Sequence, residues 1–424
     1  MPSVLDSSPG EGAPAPALAD LLGRVGDLVK GLPEAIHRLL VEQVTELTAD
    51  QQLRDLLSDT VAANVGTWLS VIRYSIPIDH VEAPTAALEH ARRMAQREIP
   101  VNALLRAYRL GHQHGLNLII AGLRSADLPP EQKLALFEQI TSVSFRYIDW
   151  MSEQVLETYQ VERAHWDDNR RSLREQAIRD ILDGRDIDVT ETSYSMRYPL
   201  SATHMALLVW LNQDASADSD QLIALERFAR DAASAAGAEQ LLYHSIDRLV
   251  ACAWMTVPDP SSSLSQLRAF VQTCSESPRM AVGAPSRGLD GFRRTYRQAQ
   301  QARAVAMAAQ GTARRFVAAQ DSGLALASML VADVPTLKSW VHDVLGPLAS
   351  SSTSDRRLRE TLSMFLRAGG SFKAAAVDLH THGNTVKYRV NRAVERRGRA
   401  LADDRLDVEF ALLMCDWFGD AVLT

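Results

Sequence analysis

The chain has 424 residues, 46% hydrophobic and 23% charged, and its 45 Lys and Arg against 52 Asp and Glu leave a net charge of −7. This length predicts two to four domains, and the composition excludes wholesale disorder, collagen and coiled-coil fibre. No run of 18 apolar residues predicts a membrane span and no basic-then-apolar leader opens the chain, while three scattered cysteines (Cys252, Cys274, Cys415) exclude a disulfide framework and fit a reducing cytoplasm.

Residues 1–16 are rich in Pro, Gly, Ser and Ala and are expected as a disordered tail. Residues 17–165 read as an all-α domain for sensing or dimerisation. Leu21, Leu22, Val25, Leu28 and Val29 recur at helical spacing. Pro33 opens a helix with Ile36, Leu39, Leu40 and Val44 on one face, and further helices are predicted over Leu53–Ile72, Ala86–Gln96, Val101–Leu123 and from Pro130 onward.

Between Pro130 and Gly184 there is neither Gly nor Pro. About 50 helical residues would span roughly 75 Å, more than one small domain needs. Leu134, Phe137, Ile140, Ile148, Met151, Val155 and Tyr159 suit packing on the helical domain. The middle, VERAHWDDNRRS, is polar nearly all round, and Leu173, Ala177, Ile178, Ile181 and Leu182 resume an apolar stripe. Two readings are open: a dimerising connector helix over 166–184, or two ordinary helices joined near Asp167–Asn169.

Residues 185–318 change pattern. Met205–Leu211 is a continuous apolar run, as in a strand buried on both faces. Asp218–Ala236 is predicted helical, Gln240–His244 and Leu249–Trp254 form a hairpin around Ser245–Arg248, and Ser262–Cys274 is helical. Arg279–Val282 is a strand and Gly291–Ala309 a long helix. That order is an α+β domain with helices on an antiparallel sheet. Residues 319–353 are expected as a linker region with short helices, ending in the polar SSSTS of Ser350–Ser354, and residues 354–424 as a further all-α domain.

Enzyme signatures are missing: there is no GxxxxGK[ST] phosphate loop, no GxSxG elbow and no HExxH. His112 and His114 lie two apart on a predicted helix and point to different sides, so they share no metal. Asp167–Asp168 and Asp403–Asp404 read as solvated faces. No catalytic residue, metal ligand or cofactor is expected.

The C-terminal segment is the informative one. Leu358, Leu362 and Phe365 end one helix at Gly369–Gly370, Phe372–Leu379 is a two-turn helix, His380–Gly383 is a turn, and Asn384 or Thr385 caps a helix reaching Arg397. A short helix, a tight turn and a longer helix make a helix-turn-helix. Val386, Val390 and Ala393 form its apolar stripe, and Thr385, Arg389, Arg392 and Arg396 a neighbouring face. From Arg367 to Arg399 eight basic residues (Arg367, Lys373, Lys387, Arg389, Arg392, Arg396, Arg397, Arg399) stand against only Asp378 and Glu395, a basic module inside an acidic chain. Such side chains pair with phosphates, and an Asn/Thr at the helix start reaches base edges.

The spacing Ala375, Ala376, Leu379, His382, Asn384, Thr385, Val386, Tyr388, Arg389 resembles the C-terminal helix-turn-helix of PucR/CdaR-type bacterial transcription regulators, over roughly the last 70 residues. Gly383 departs from that pattern, where a larger, often basic residue is usual. Gly283, Gly288, Tyr296, Ala299 and Ala302, within Val282–Ala306, resemble the end of the GGDEF-like domain that often precedes this helix-turn-helix. The hairpin there reads YHSIDRL, with no Gly-Gly and only Asp247, which implies a degenerate, noncatalytic domain. Arg97–Gly115 resembles the all-α, globin-like N-terminal domain of RsbT co-antagonist-type sensors, found on many actinobacterial regulators of this architecture and usually free of haem.

The resulting expectation is a multidomain, mainly α, cytoplasmic homodimer that binds double-stranded DNA and regulates transcription, with an unidentified small-molecule effector and no membrane partner. DNA contacts are expected from His382, Asn384, Thr385, Lys387, Tyr388, Arg389, Arg392, Arg396 and Arg397. The competing readings are a noncatalytic nucleotide-binding sensor or residual cyclase, tied to the middle domain, and a stress-signalling scaffold, tied to the N-terminal one.

Overall fold

The computed structural model describes residues 31–48, 50–74, 76–211, 220–274, 278–309 and 314–424, so the predicted tail and the spacing from Leu21 to Val29 lie outside the described residues. Two compact units divide between Leu173 and Arg174.

The first unit is all-α: α1 (Leu32–Gln43), α2 (Gln51–Tyr74), α3 (Thr85–Gln96), α4 (Val101–Ser125) and most of α5 (Pro130–Leu182). Proline punctuates the starts. Pro33 sits in the first turn of α1, where its missing N–H costs no helical bond, and Pro84 and Pro100 stand just before α3 and α4. Ile36, Leu57, Val61, Trp68, Leu104, Ile140, Met151 and Val155 fill one core. Gly115 lets α4 approach α2, because a Cβ there would lie 2.9 Å from the Trp68 ring. The Trp68 indole in turn donates to Ser144 Oγ at 3.0 Å.

Helix α5 is a single helix through Asp167–Asn169, which excludes two helices joined there. Its exposed middle lacks Gly and Pro, and polar pairs hold it: Arg163 with Asp167 at 3.2 Å and Trp166 Nε1 with Glu162 Oε1 at 2.8 Å along the helix, Gln96 Nε2 with Glu162 Oε1 at 2.8 Å and Arg170 with Glu98 across to the rest of the first unit. The stripe expected to dimerise does not face solvent. Ile178 and Ile181 are buried in the core of the second unit, and Arg293 donates to the Ile181 carbonyl at 2.6 Å. Leu173 alone of that stripe is exposed.

After the short α6 (Val189–Met196), the second unit is built on a sheet with strand order β2-β3-β1-β4-β6: β1 (Thr203–Trp210), β2 (Leu241–Ser245), β3 (Val250–Thr256), β4 (Arg279–Val282) and β6 (Phe316–Ala318), with β5 (Ser286–Arg287) pairing β1. Both faces are covered, which explains the unbroken apolar run of β1. Met205, Leu207 and Val209 face α7 (Asp220–Ala235) and α8 (Pro260–Thr273), and Ala206, Leu208 and Trp210 face the core that holds α9 (Gly288–Ala308). Trp254 stacks on Phe292 at 4.3 Å and donates to its carbonyl at 3.1 Å. Gly283 is required by close approach, since a Cβ there would lie 1.9 Å from the Thr295 carbonyl. The sheet is mixed where an antiparallel one was expected, because β6 runs parallel to β4. Three residues, Phe316–Ala318, are too few to show a period in the sequence.

The stretch expected as a linker is part of the core. It forms α10 (Leu324–Leu330), a 3-10 turn at Val331–Asp333, α11 (Val334–Leu345) and a 3-10 turn at Gly346–Ala349. Leu324–Ala349 is apolar enough, at a mean hydropathy of 1.3, to match a membrane span by length and composition. It is broken at Val331–Asp333, and Leu337, Val341, Leu345 and Leu348 are buried in the second unit. The last helices, α12 (Thr353–Arg367), α13 (Phe372–Asp378), α14 (Gly383–Arg397) and α15 (Arg405–Phe418), continue the same core. Helix α15 packs on α9, α10 and α11.

Candidate nucleic-acid interface

Helix α12 ends where Gly369 (φ +67°) and Gly370 (φ +83°) turn the chain back, with Gly370 N–H donating to the Phe365 carbonyl at 2.9 Å. Ser371 caps α13 by accepting from Ala374 N at 3.2 Å, and Phe372 stacks on Phe365 at 4.6 Å. His380 takes the left-handed conformation (φ +48°) in the turn between α13 and α14. The cap of α14 is His382, not Asn384 or Thr385: its Nδ1 accepts from Asn384 N–H at 3.2 Å. The helix begins two residues earlier than its polar pair suggests, so Asn384 and Thr385 fall in the first turn.

Val386, Val390 and Ala393 are buried against α12 and α13, together with Leu362, Leu366, Ala375 and Ala376. The opposite face is open. Asn384, Lys387, Tyr388, Asn391 and Arg392 are all exposed at i, i+3, i+4, i+7 and i+8, and Tyr388 is 69% exposed, so its ring does not pack beneath the helix. Thr385 and Arg389 are half-buried on the flank. Asn391 escaped the sequence reading, although its position seven residues after Asn384 was the available signal.

The arginines separate by environment. Lys373, Lys387 and Arg389 have no carboxylate partner among the described residues, and Arg392 pairs only with the exposed Glu395 at 3.0 Å. Arg396 is exposed but tethered, its guanidinium bonding both oxygens of Asp355 at 3.1 and 3.3 Å. Asp355 is 2% exposed. Burial pushes its carboxyl up, but hydrogen bonds from Arg396 and Ser352 outweigh this and hold it below the usual carboxylate range. Arg397 must be withdrawn from the expected DNA contacts. It is 5% exposed, donates to the Val344 carbonyl at 2.8 Å and the Ala400 carbonyl at 3.3 Å, and pairs with Asp404. Asp404 is thereby a structural partner and not part of a solvated face. Arg399 likewise reaches back to the Asp343 and Val344 carbonyls. A helical wheel misses this because the C-terminal turn of α14 lies against α11 and its following turn.

In the middle domain the hairpin turn is short and self-contained. Asp247 is exposed, and its carboxylate accepts from Leu249 N–H at 2.7 Å. Among the described residues no group of three or more His, Cys, Asp or Glu is placed to hold a metal ion.

Comparison with known proteins gives three matches in order. Residues 30–174 match the RsbT co-antagonist protein rsbRD N-terminal domain, residues 182–305 the GGDEF-like domain, and residues 358–414 the PucR C-terminal helix-turn-helix domain. The chain's C-terminal segment is similar to the helix-turn-helix of PucR-type proteins. The PucR-type match runs from within α12 to within α15 and so contains the whole exposed face of α14. An uncharacterized protein from the pkwA 5′ region of Thermomonospora curvata is 38% identical over 77 residues, 18% of this chain and 43% of that protein. An uncharacterized protein of Mycobacterium tuberculosis is 37% identical over 70 residues, 16% of each chain. The chain thus spans less than half the length of these curated relatives. A solved structure, a regulator of polyketide synthase expression from Bifidobacterium adolescentis, aligns with a TM-score of 0.29 at 19% identity, over 57% of this chain and 96% of that one. At that score the likeness carries no argument.

Proposed function

We propose that the protein is a DNA-binding transcription regulator that lays α14 in the major groove. The observation that carries this is the face of α14: five exposed polar or basic side chains, backed by a fully buried apolar stripe and preceded by a capped two-turn helix. Asn384 and Thr385 sit in the first turn, from which side chains reach base edges. Lys387, Arg389 and Arg392 supply charge along the groove, and Tyr388 extends to the sugar-phosphate backbone. Asn391 joins the base-facing set. His382 acts by fixing the helix start, and Arg396 by bracing α14 on α12.

The GGDEF-like domain serves as a noncatalytic relay. Its hairpin offers no glycine pair for a phosphate to approach, and Asp247 is engaged by its own turn. Given GTP with magnesium or manganese, purified protein should form no cyclic dinucleotide. The protein works as a cytoplasmic homodimer responding to a small-molecule effector, with α5 running from the first unit into the second. Leu134, Phe137 and Phe145, exposed on the first part of α5, are the apolar side chains available to a second copy.

The test is capture of genomic DNA fragments by the full chain, followed by binding titration on recovered and scrambled duplexes. A recovered duplex bound at least 100-fold more tightly than its scramble supports the reading. Equal, weak binding to both removes it.

A further inference from the structure

The first unit contains a cavity of about 80 Å³ between α1, α2, α3, α4 and α5. Its wall is mostly apolar, including Ile36, Leu57, Val65, Trp68, Leu104 and Ala107, and among the described residues no Lys, Arg, Asp or Glu lines it. Polar groups are few. The decisive one is His90 on α3, which is 1% exposed and, among the described residues, has no hydrogen-bond partner at either ring nitrogen. A buried imidazole without partners costs stability unless something bonds to it. His204 in the second unit shows the usual arrangement: Nδ1 lies 3.0 Å from the Tyr198 hydroxyl and Nε2 3.0 Å from the Leu200 carbonyl. Tyr108 is a second handle on the cavity wall. Its oxygen accepts from Asn64 Nδ2 at 3.4 Å, which leaves its proton available.

We propose that this cavity binds a small uncharged molecule with an apolar body and one hydroxyl or carbonyl head, the head held by His90 and Tyr108. An apolar cavity of about 150 Å³ takes up benzene. Half that volume suits a body of about three to five heavy atoms and excludes a haem. The absence of a charged wall residue excludes a carboxylate or ammonium head, which would be buried without a counter-charge. Burial pushes the His90 imidazole down to about 4 and the Tyr108 phenol well above its ordinary value. At neutral pH both groups are therefore uncharged, one a donor and acceptor, the other a donor. His112, which also lines the cavity, packs edge-on to Phe145 at 5.0 Å and leaves its Nε2 without a partner.

The inference stands apart from the DNA-binding reading, and its readout needs no duplex. Saturation-transfer NMR on the full chain, with butan-1-ol, butyrate and butylammonium as probes, tests it. Butan-1-ol should give a saturable signal and the two ions none. Ala107→Leu, which fills the cavity, should abolish the signal. His90→Leu and Tyr108→Phe should each weaken it about tenfold, while xenon, which needs only the apolar space, still binds His90→Leu. No saturable signal from butan-1-ol, equal signals from the ions, or a signal unchanged in all three variants would overturn the proposal. If His90→Leu fails to fold, Tyr108→Phe and Ala107→Leu decide alone.

Discussion

Two arginines adjacent in sequence, Arg396 and Arg397, do different work, and their difference makes the sharpest test of the interface. Arg397 bonds two carbonyls and Asp404 in the interior. Removing it leaves the Val344 carbonyl without that donor and the half-buried Asp404 with only Arg399, at 3.7 Å, so Arg397→Ala should lower unfolding stability by about 1–3 kcal/mol, read by denaturant titration. Asn384→Ala should leave stability nearly unchanged and cost about 1–3 kcal/mol on the operator but little on scrambled DNA, read by anisotropy. An Arg397→Ala protein that is fully stable yet binds DNA weakly would reverse this assignment. Asp355 adds a pH dependence. Its folded carboxyl titrates below the unfolded value of 3.8, so its pairing with Arg396 stabilises the fold above that pH. The contribution is lost as pH falls through the lowered folded value. The stability gap between the wild type and Asp355→Asn should be full at neutral pH and begin to close only below pH 3.8.

At the scale of elements, the start of α14 carries a departure from the PucR pattern. Gly383 is the first residue of the helix, a Cβ there would meet nothing within 4 Å, and its φ is not in the left-handed region. A larger side chain therefore fits without strain and restores the helix propensity that glycine lacks. Gly383→Arg should raise affinity for specific and scrambled duplexes alike and steepen the salt dependence by about one unit. Titration at several salt concentrations reads both. Unchanged salt dependence would mean that the N-terminus of α14 points away from the phosphates. The connector α5 carries a related lesson. Its continuity follows from the lack of Gly and Pro and from its i, i+4 pairs, but the apolar stripe at its end is used up inside the second unit.

For the molecule as a whole, the helix-turn-helix shares its core with the GGDEF-like domain and is not a freely hung module. The Trp417 indole donates to the Ser322 carbonyl at 3.1 Å, Arg314 lies over the Trp417 ring at 4.2 Å, and Arg359 donates to the Leu348 and Ser350 carbonyls at 2.6 and 2.5 Å. Cutting the chain at residue 354 would expose Leu366, Val408, Leu412 and Trp417 to water. A fragment of residues 354–424 should show no cooperative melt, while residues 174–424 should melt as one transition. A folded, DNA-binding 354–424 fragment would show the shared core to be dispensable. Light scattering of the full chain at micromolar concentration should give twice 46.7 kDa, and Phe145→Glu with Leu134→Glu should shift it toward the monomer.

Local pattern and composition were enough to read the helical first unit, the buried strand β1, the β2–β3 hairpin and the short-helix, turn, long-helix order near the C-terminus. These rest on periods of two and 3.6 residues, on Gly and Pro, and on chemistry carried by neighbours in sequence. The exposed face of α14 was legible only in part: Val386, Val390 and Ala393 marked its inner side, but the helix start and the role of Asn391 were not visible. Tertiary structure alone decided that Arg397 and Asp404 are interior partners, that Leu337–Ala349 is core, that Ile178 and Ile181 are spent within the chain, and that His90 faces a cavity without a partner. Each depends on which distant segment covers a given side chain. A charged or apolar residue reads the same in sequence whether it meets water, a carbonyl from another helix or an open space, and only packing distinguishes these.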